Sequence, residues 1–307
     1  MDRSSSPHLR IHKLPELRAP ALIVAVAGWS DAAEVATSAA RFLVRGWEAE
    51  RFAEIDPEEF YVFSELRPQV VIAEGAQRRI DWPANEFFWH RAEGEGRDCV
   101  VFIGHEPHLK WRTFVDTVLA QVDAVGAELV ICLGGLLADV PHSRAVRLTG
   151  SATDPHLAER LGRLNVRSSR YEGPTSWLGV LSQACRARKL SSASVWGNVP
   201  HYINHAPNPK VTAAMLRRLD GLLDLRLDLR PLDDAASAFD QQVADAIARD
   251  PEAQAYVRKL EQREDRGEEQ EPELPTSAPR ELPSGEEVVR ELEEFLKRRK
   301  ADEEPSQ

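Results

Sequence analysis

Short apolar runs that alternate with helical patterns are the feature that most limits how this 307-residue chain can fold. Residues 21–27 and 99–103, and residues 128–133 after the opening Glu128, are apolar runs of strand length, which are typical of strands buried on both faces. Residues 32–46 and 110–125 follow two of these runs and space their apolar residues as amphipathic helices do. Strands that alternate with helices predict an α/β fold with a doubly wound, mostly parallel sheet and helices on both faces.

A different pattern interrupts this alternation before residue 90. Four short runs, at 60–63, 69–72, 79–82 and 86–89, have strand composition and are separated by proline and glycine. Short strands with such punctuation are typical of antiparallel hairpins. We therefore predict a β-meander inserted at the edge of the main sheet.

The chain is expected to divide into five parts. They are a flexible N-terminal arm (1–18), an α/β core (19–232), a C-terminal helical extension (233–265), a disordered acidic linker (266–283) and an amphipathic tail helix (284–300). The linker is rich in proline and glutamate, so it cannot bury enough apolar surface to fold. The tail helix is expected to dock on the core or on a partner, with a solvated tail as the alternative.

Composition and charge exclude several classes of function. No apolar run approaches the roughly 20 residues of a membrane span, and the N-terminus lacks the apolar core of a secretion signal. The three cysteines have no CxxC spacing, which favours core thiols in a cytoplasmic protein. The net charge of −11 comes mainly from residues 251–307, and the chain lacks a basic stripe with interleaved aromatic residues. We therefore predict neither a nucleic-acid nor a membrane partner.

Polar and titratable residues gather directly after four predicted strands. After the predicted strand at residues 128–133, Gly134 and Gly135 are expected to turn the chain sharply. The carboxyl ends of parallel strands meet at one edge of a sheet, where ligands commonly bind. The sequence therefore predicts a cleft at this edge. Its candidate residues, including a possible anion-binding turn before a helix, are Trp29, Ser30, Asp31, His105, Glu106, His108, Asp139, His142, Arg144, Glu172, Thr175, Asn198, His201 and Tyr202.

Several candidates also have a purely structural interpretation. Asp31 can simply cap the helix that follows it, and Asp139 with Arg144 can form an ion pair that holds their loop. His105 and His108 have the spacing of metal ligands. A loop that contains a proline need not direct both rings at one ion, so no metal site is predicted.

Sequence motifs of common enzymes are absent. The chain has no GxSxG elbow, no GxxxxGK[ST] phosphate loop and no GxGxxG after a strand, so no cofactor is predicted. Ser30, Ser143 and Thr175 are conceivable nucleophiles, but the sequence places none of them beside a base. The missing motifs weigh against an enzyme without excluding one.

Six short segments together resemble the proteasome-assembly-chaperone (PAC2-type) family, in a branch of uncharacterised actinobacterial proteins. They are residues 28–32 (GWSDA), 79–83 (RIDWP), 104–107 (GHEP), 133–142 (LGGLLADVPH), 171–175 (YEGPT) and 199–202 (VPHY). The resemblance covers about residues 20–265 and implies a three-layer core like that of phosphorylases and peptidyl hydrolases. It also implies a homo-oligomer, with a trimer favoured, but no catalytic residues. The family's hydrophobic-Tyr-any ending is missing at residues 303–307.

Two functions follow as hypotheses. The first is a cytoplasmic oligomeric scaffold or chaperone-like interaction protein that shares an enzyme's fold. The alternative is an enzyme or a binder of anions or nucleoside-like ligands, in which Asp139, His142, His105 and Glu106 would serve as acid, base or polar anchors.

Overall fold

The apolar runs form the central strands of a mixed sheet in the computed structural model, which describes residues 6–72, 77–94, 96–204 and 207–267. The strands in these ranges are β1 (Leu9–Ile11), β2 (Ala21–Ala27), β3 (Glu50–Ile55), β4 (Gln69–Ile72), β5 (Arg78–Asp81), β6 (Glu86–His90), β7 (Cys99–His105), β8 (Leu129–Ala138), β9 (Leu148–Ala152), β10 (Val166–Ser168) and β11 (Ser191–Pro200). The α-helices there are α1 (Val35–Gly46), α2 (Trp111–Val125), α3 (Pro155–Arg163), α4 (Trp177–Ala187), α5 (Pro209–Leu223), α6 (Arg230–Ala248) and α7 (Pro251–Asp265).

The main sheet has the strand order β1-β3-β6-β7-β2-β8-β11-β9-β10, and β4 and β5 form a separate two-stranded ribbon. At the centre, β7, β2, β8 and β11 are parallel neighbours. Antiparallel pairing adds β6, β3 and β1 on one side and β9 on the other. The predicted α/β fold with a mostly parallel sheet is confirmed.

Alternate residues of β2 contribute to two apolar cores on opposite faces of the sheet. Ile23 and Ala25 belong to the core that α1, α3 and α5 cover, whereas Leu22 and Val24 belong to the core under α2 and α4. The molecule therefore has helix, sheet and helix layers. Beyond these layers, α6 packs on α5, and α7 packs on α6.

The expected turn at Gly134 and Gly135 is wrong, because both glycines lie inside β8, which continues to Ala138. A side chain at Gly134 would place its Cβ 2.3 Å from the ring of Trp196, and one at Gly135 would lie 2.4 Å from Cγ2 of Val35. The two glycines therefore allow close packing against β11 and α1. A strand glycine and a turn glycine look alike in sequence, although their physical roles differ.

The other differences lie at the sheet edge and outside the core. Residues 60–63 form turns instead of a strand, with Phe60 and Tyr61 buried against the core. Leu9–Ile11, inside the segment expected to be a flexible arm, pairs with β3. The predicted tail helix and all of the linker from residue 268 onward lie outside the described residues. Among the helices that the structure describes, none combines the length and the apolar composition that a membrane crossing requires.

Candidate functional site

The loops that follow β2, β7, β8 and β11 meet at one edge of the main sheet. The strand ends are aligned, since Ala27 pairs with His105 and Ala138 pairs with Pro200. An isolated backbone bridge extends this alignment by joining Asp31 to Gly135. The candidate residues on the four loops therefore lie on adjacent strand ends.

Asp31 is buried after β2 and binds the start of α1. Its carboxylate accepts hydrogen bonds from the amides of Ala36 and Thr37 at 2.8 and 3.3 Å, and from the Thr37 hydroxyl at 2.5 Å. These amides belong to the first helical turn, where no intrahelical partner is available. Burial raises the pKa of Asp31, and the hydrogen bonds oppose that rise. Asp31 therefore satisfies the first amides of α1 from outside the helix, since the residue at the N-cap position of α1 is Glu34.

Glu106 follows β7 and ties two neighbouring segments together. Its Oε1 accepts a hydrogen bond from the amide of Trp177, the first residue of α4, at 2.7 Å, and its carboxylate also accepts one from the Trp29 amide. Ser176 makes no side-chain capping bond, so Glu106 caps α4 from another loop. Burial raises the pKa of Glu106. Gly28 has a φ of +133°, and a Cβ there would lie 3.0 Å from that of Glu106, which favours glycine.

His105 and His108 are engaged differently. The Nδ1 atom of His108 accepts a hydrogen bond from the amide of Val62 at 3.0 Å. Burial lowers the pKa of His105, whose Nδ1 is buried with no hydrogen-bond partner among the described residues. The Tyr61 hydroxyl lies 2.6 Å from Oδ1 of Asn85 and 2.8 Å from the carbonyl oxygen of His105. Where the chain is described, no group of three or more His, Cys, Asp or Glu side chains could hold a metal ion.

Asp139 and His201 form a half-exposed pair at the ends of β8 and β11. Oδ1 of Asp139 lies 3.1 Å from Nδ1 of His201, close enough for an ion pair but outside hydrogen-bond geometry. The Nε2 atom of His201 lies 3.4 Å from the hydroxyl of Tyr256 on α7. An acid and an imidazole are therefore side by side here, next to a phenol from the helical extension.

His142 is held by Tyr202. The Tyr202 hydroxyl accepts a hydrogen bond from the His142 amide at 2.8 Å and lies 2.9 Å from Nδ1 of the same residue. The ammonium group of Lys210 donates to the carbonyl oxygen of His142. Burial is the main cause that lowers the pKa of His142 and that raises the pKa of Tyr202 to about 12. These contacts fix the backbone of the loop that follows β8.

The expected ion pair between Asp139 and Arg144 is wrong. Arg144 instead pairs with Asp265 of α7 at 2.9 Å, and Arg147 pairs with Glu264 of the same helix at 3.0 Å. Both side chains of the second pair are mostly buried. The loop after β8 is therefore bound to the helical extension, and Arg144 pairs with α7 instead of with Asp139.

Three further candidates give little sign of a ligand site. Glu172 and Thr175 are exposed on the loop before α4. Asn198 is buried, and it lines a cavity of about 20 Å³ together with Asp240. Oδ1 of each residue lacks a hydrogen-bond partner within the described chain. A space of this size accommodates a single water molecule rather than a nucleoside or another organic ligand.

Trp29 and Ser30 lie next to each other but differ in exposure. The Trp29 side chain is exposed, whereas Ser30 is buried with no partner for its hydroxyl in the described structure. The Ser30 hydroxyl therefore has no hydrogen-bond partner in the described structure, whereas the His105 ring makes a backbone hydrogen bond with Ala84. The prediction of a ligand cleft here stays a prediction.

The model of the PAC2 family matches residues 25–247 of this chain. The chain belongs to the PAC2 family. A PAC2 family protein of Streptomyces avermitilis is 40% identical, with a TM-score of 0.72 over 78% of this chain and 99% of that one. A proteasome-assembly chaperone homologue of Mycobacterium tuberculosis is 38% identical, with a TM-score of 0.71 over 77% and 99%. The family resemblance of the sequence is thus confirmed.

A more distant solved structure shares the fold. An archaeal proteasome activator of Pyrococcus furiosus is 19% identical, with a TM-score of 0.63 over 78% of this chain and 97% of that one. No curated protein matches the chain.

The contacts between the loop after β8 and α7 could not be predicted from the sequence of this PAC2 chain. Glu261, Glu264 and Asp265 lie on one face of α7 at helical spacing, and they bind Ser143, Arg147 and Arg144, respectively. The acidic face was visible in the sequence as residues three and four positions apart. Its basic partners are more than a hundred positions away, so only the folded chain pairs them.

Proposed function

We propose that this PAC2 protein is a cytoplasmic, homo-oligomeric interaction protein with a scaffold or chaperone-like role, rather than an enzyme. The observation that carries the proposal is an exposed apolar surface on the ribbon of β4 and β5. A trimer is the assembly that the family resemblance favours. The occupant that we assign to the ribbon is a second copy of this chain.

The ribbon presents large apolar side chains on one of its two faces. Val70 pairs with Ile80 across the two strands, and Ile72 lies two positions further along β4 on the same side, opposite Arg78. Trp82 lies just beyond the end of β5, with its ring against that of Phe63. Val70 is 63% exposed, Ile72 73%, Ile80 54% and Trp82 49%. Isolated exposed hydrophobic residues are common on monomers, but a contiguous group of this kind is typical of an interface.

Burial of the exposed apolar side chains of the ribbon would contribute substantially to the free energy of association. Full burial of one large aliphatic side chain contributes about 1.5–3 kcal/mol. Four half-exposed side chains therefore offer several kcal/mol to a contact that covers them. A two-stranded ribbon is also marginally stable alone in water, so a partner that packs against its apolar face would stabilise it. Every copy of the chain carries the same ribbon, so three ribbons can meet around a threefold axis in a closed trimer.

The contacts at the strand ends support an interaction protein. Asp31 and Glu106 accept hydrogen bonds from helix amides, and His142 is bound by Tyr202. Groups used in this way hold loops in place, which is a structural role. Family membership points in the same direction, since the M. tuberculosis relative is described as a proteasome-assembly chaperone homologue.

Native mass spectrometry of the purified full-length chain tests the proposal. We expect the wild-type chain to be an oligomer, with the trimer as the main species, and the Val70→Lys/Ile80→Lys variant to be a monomer with an unchanged far-UV circular dichroism spectrum. Leu14→Lys is the matched control, because Leu14 is 45% exposed and lies outside the ribbon. A wild-type monomer, or a double variant that keeps its assembly, would contradict the proposal.

A further inference from the structure

A groove of about 990 Å³ separates α1 from α6 on the face of the molecule that α5 supports. Both helices pack on α5, which forms the floor of the groove. We call this surface the α1–α6 groove. Its walls include Arg41, Phe42 and Arg45 from α1, and Ala238 and Phe239 from α6.

The wall residues follow helical spacing on both sides. On α6, the lining residues Pro231, Ala235, Ala238 and Gln242 are three or four positions apart, so they form one stripe along the helix. The stripe spans 12 residues, which corresponds to roughly 17 Å at 1.5 Å per residue. This length matches about three turns of a helix laid between α1 and α6.

The floor and walls are mainly apolar, whereas the α1 rim is basic. Phe42 and Phe239 are half-buried and lie on opposite walls. Arg41 engages Glu34 at 3.4 Å and the Thr37 hydroxyl at 3.2 Å. Arg45 is exposed and has no acidic partner among the described residues.

The acidic residue that lines the groove does not neutralise this rim. Asp228 is paired with Arg230 at 2.6 Å, and that hydrogen-bonded arginine lowers the pKa of Asp228 to about 2. The groove therefore presents an unneutralised cation beside apolar walls, although the whole chain carries a net charge of −11.

We propose that the α1–α6 groove binds an amphipathic α-helix of a partner protein whose apolar stripe is flanked by acidic residues. Grooves between helices recognise such partners through apolar anchors at helical spacing. Small residues at positions 235 and 238 leave room for those anchors, and the exposed Arg45 attracts the acidic flank. The proposal rests on the proposed interaction function but uses elements other than the ribbon.

Fluorescence anisotropy with the full-length chain and two labelled synthetic peptides tests this proposal. Both peptides are 18-residue helices with leucines on one stripe; one carries glutamates beside the stripe and the other carries lysines. We expect the glutamate peptide to bind roughly fivefold more tightly, since the unpaired Arg45 attracts the glutamates of one peptide and repels the lysines of the other. Equal binding of both peptides, or binding of neither, would overturn the proposal.

Variants of the chain locate the binding surface. Arg45→Glu should weaken the glutamate peptide roughly fivefold, and Ala238→Trp, which fills the groove from an exposed position, should weaken it more. Arg112→Glu is the matched control, because Arg112 is exposed on α2, on the opposite face of the sheet. Equal effects of Arg45→Glu and Arg112→Glu would refute the assigned surface.

Native mass spectrometry of the same variants separates this proposal from the proposed function. An unchanged assembly mass with lost peptide binding supports a groove for a partner helix. A lower assembly mass in Ala238→Trp would show that the groove is an interface between copies, which overturns the assignment to a partner. A wild-type monomer that binds the glutamate peptide would refute the ribbon assembly and leave the groove assignment standing.

Discussion

Replacement of Asp31 distinguishes a structural residue from a reactive one at the carboxyl edge of the sheet. Loss of a helix cap costs about 1 kcal/mol. Asp31→Ala also leaves the buried Thr37 hydroxyl without its acceptor at 2.5 Å, and an unsatisfied buried group costs about 1–3 kcal/mol. Part of this loss is offset because the buried carboxylate no longer has to be ionised. We therefore expect Asp31→Ala to lower the free energy of unfolding by about 2–3 kcal/mol.

Thermal unfolding followed by circular dichroism measures this effect. For a chain of this size, about 2–3 kcal/mol corresponds to a fall in Tm of roughly 4–12 °C. Asp31→Asn keeps one acceptor oxygen for the Ala36 amide, so it should cost about 1 kcal/mol. Asp234→Ala is the control, since Asp234 is exposed on α6, and it should shift stability by less than about 0.5 kcal/mol.

The pH dependence adds a second test of the same residue. Burial raises the pKa of Asp31 above its ordinary value of 3.8, so its contribution to stability is complete below pH 3.8 and is lost as pH rises through the folded-state pKa. The Tm advantage of the wild-type chain over Asp31→Asn should therefore shrink as pH rises toward 7. A wider gap at pH 7, or a change of less than about 2 °C in Asp31→Ala, would refute the reasoning.

Two further substitutions test the ties that hold this edge. Glu106→Gln should gain Tm relative to the wild type as pH rises from 4 to 7 in a thermal scan, because burial raises the pKa of Glu106 above 4.5 and its contribution is lost above that value; a gain that falls with pH would contradict this. Arg147→Met should increase hydrogen exchange of α7 amides roughly tenfold by removing the mostly buried pair with Glu264, whereas Arg144→Met, whose pair is exposed, should change it less. Equal rates in the two variants would show that burial of the pair does not matter.

The local features of this fold could be predicted from the sequence. The apolar runs predicted β2, β7 and the start of β8 because a strand buried on both faces needs apolar side chains at consecutive positions. A structural role for Asp31 could be predicted because it precedes a helical pattern, although α1 begins only at Val35. Both inferences depend on residues a few positions apart.

The contacts that join distant segments could not be predicted from the sequence. Glu106 caps α4 from 71 positions away, and Arg147 meets Glu264 across 117 positions. Nothing in the local pattern around these residues indicates their partners, since the choice depends on how the layers stack. Gly134 was misjudged for the same reason: the bulk that requires a glycine there belongs to Trp196 on another strand.

The pairing of Gly134 with Trp196 also has a consequence for which substitutions this chain can accept. The two residues occupy matched positions on β8 and β11, and the indole fills the space that a side chain on β8 would need. A larger residue at position 134 is tolerable only together with a smaller one at position 196, because a packed interior has no spare volume. The two positions are therefore coupled: enlarging residue 134 alone overcrowds the contact, whereas reducing residue 196 alone leaves a cavity, and each single substitution is less stable than the wild type.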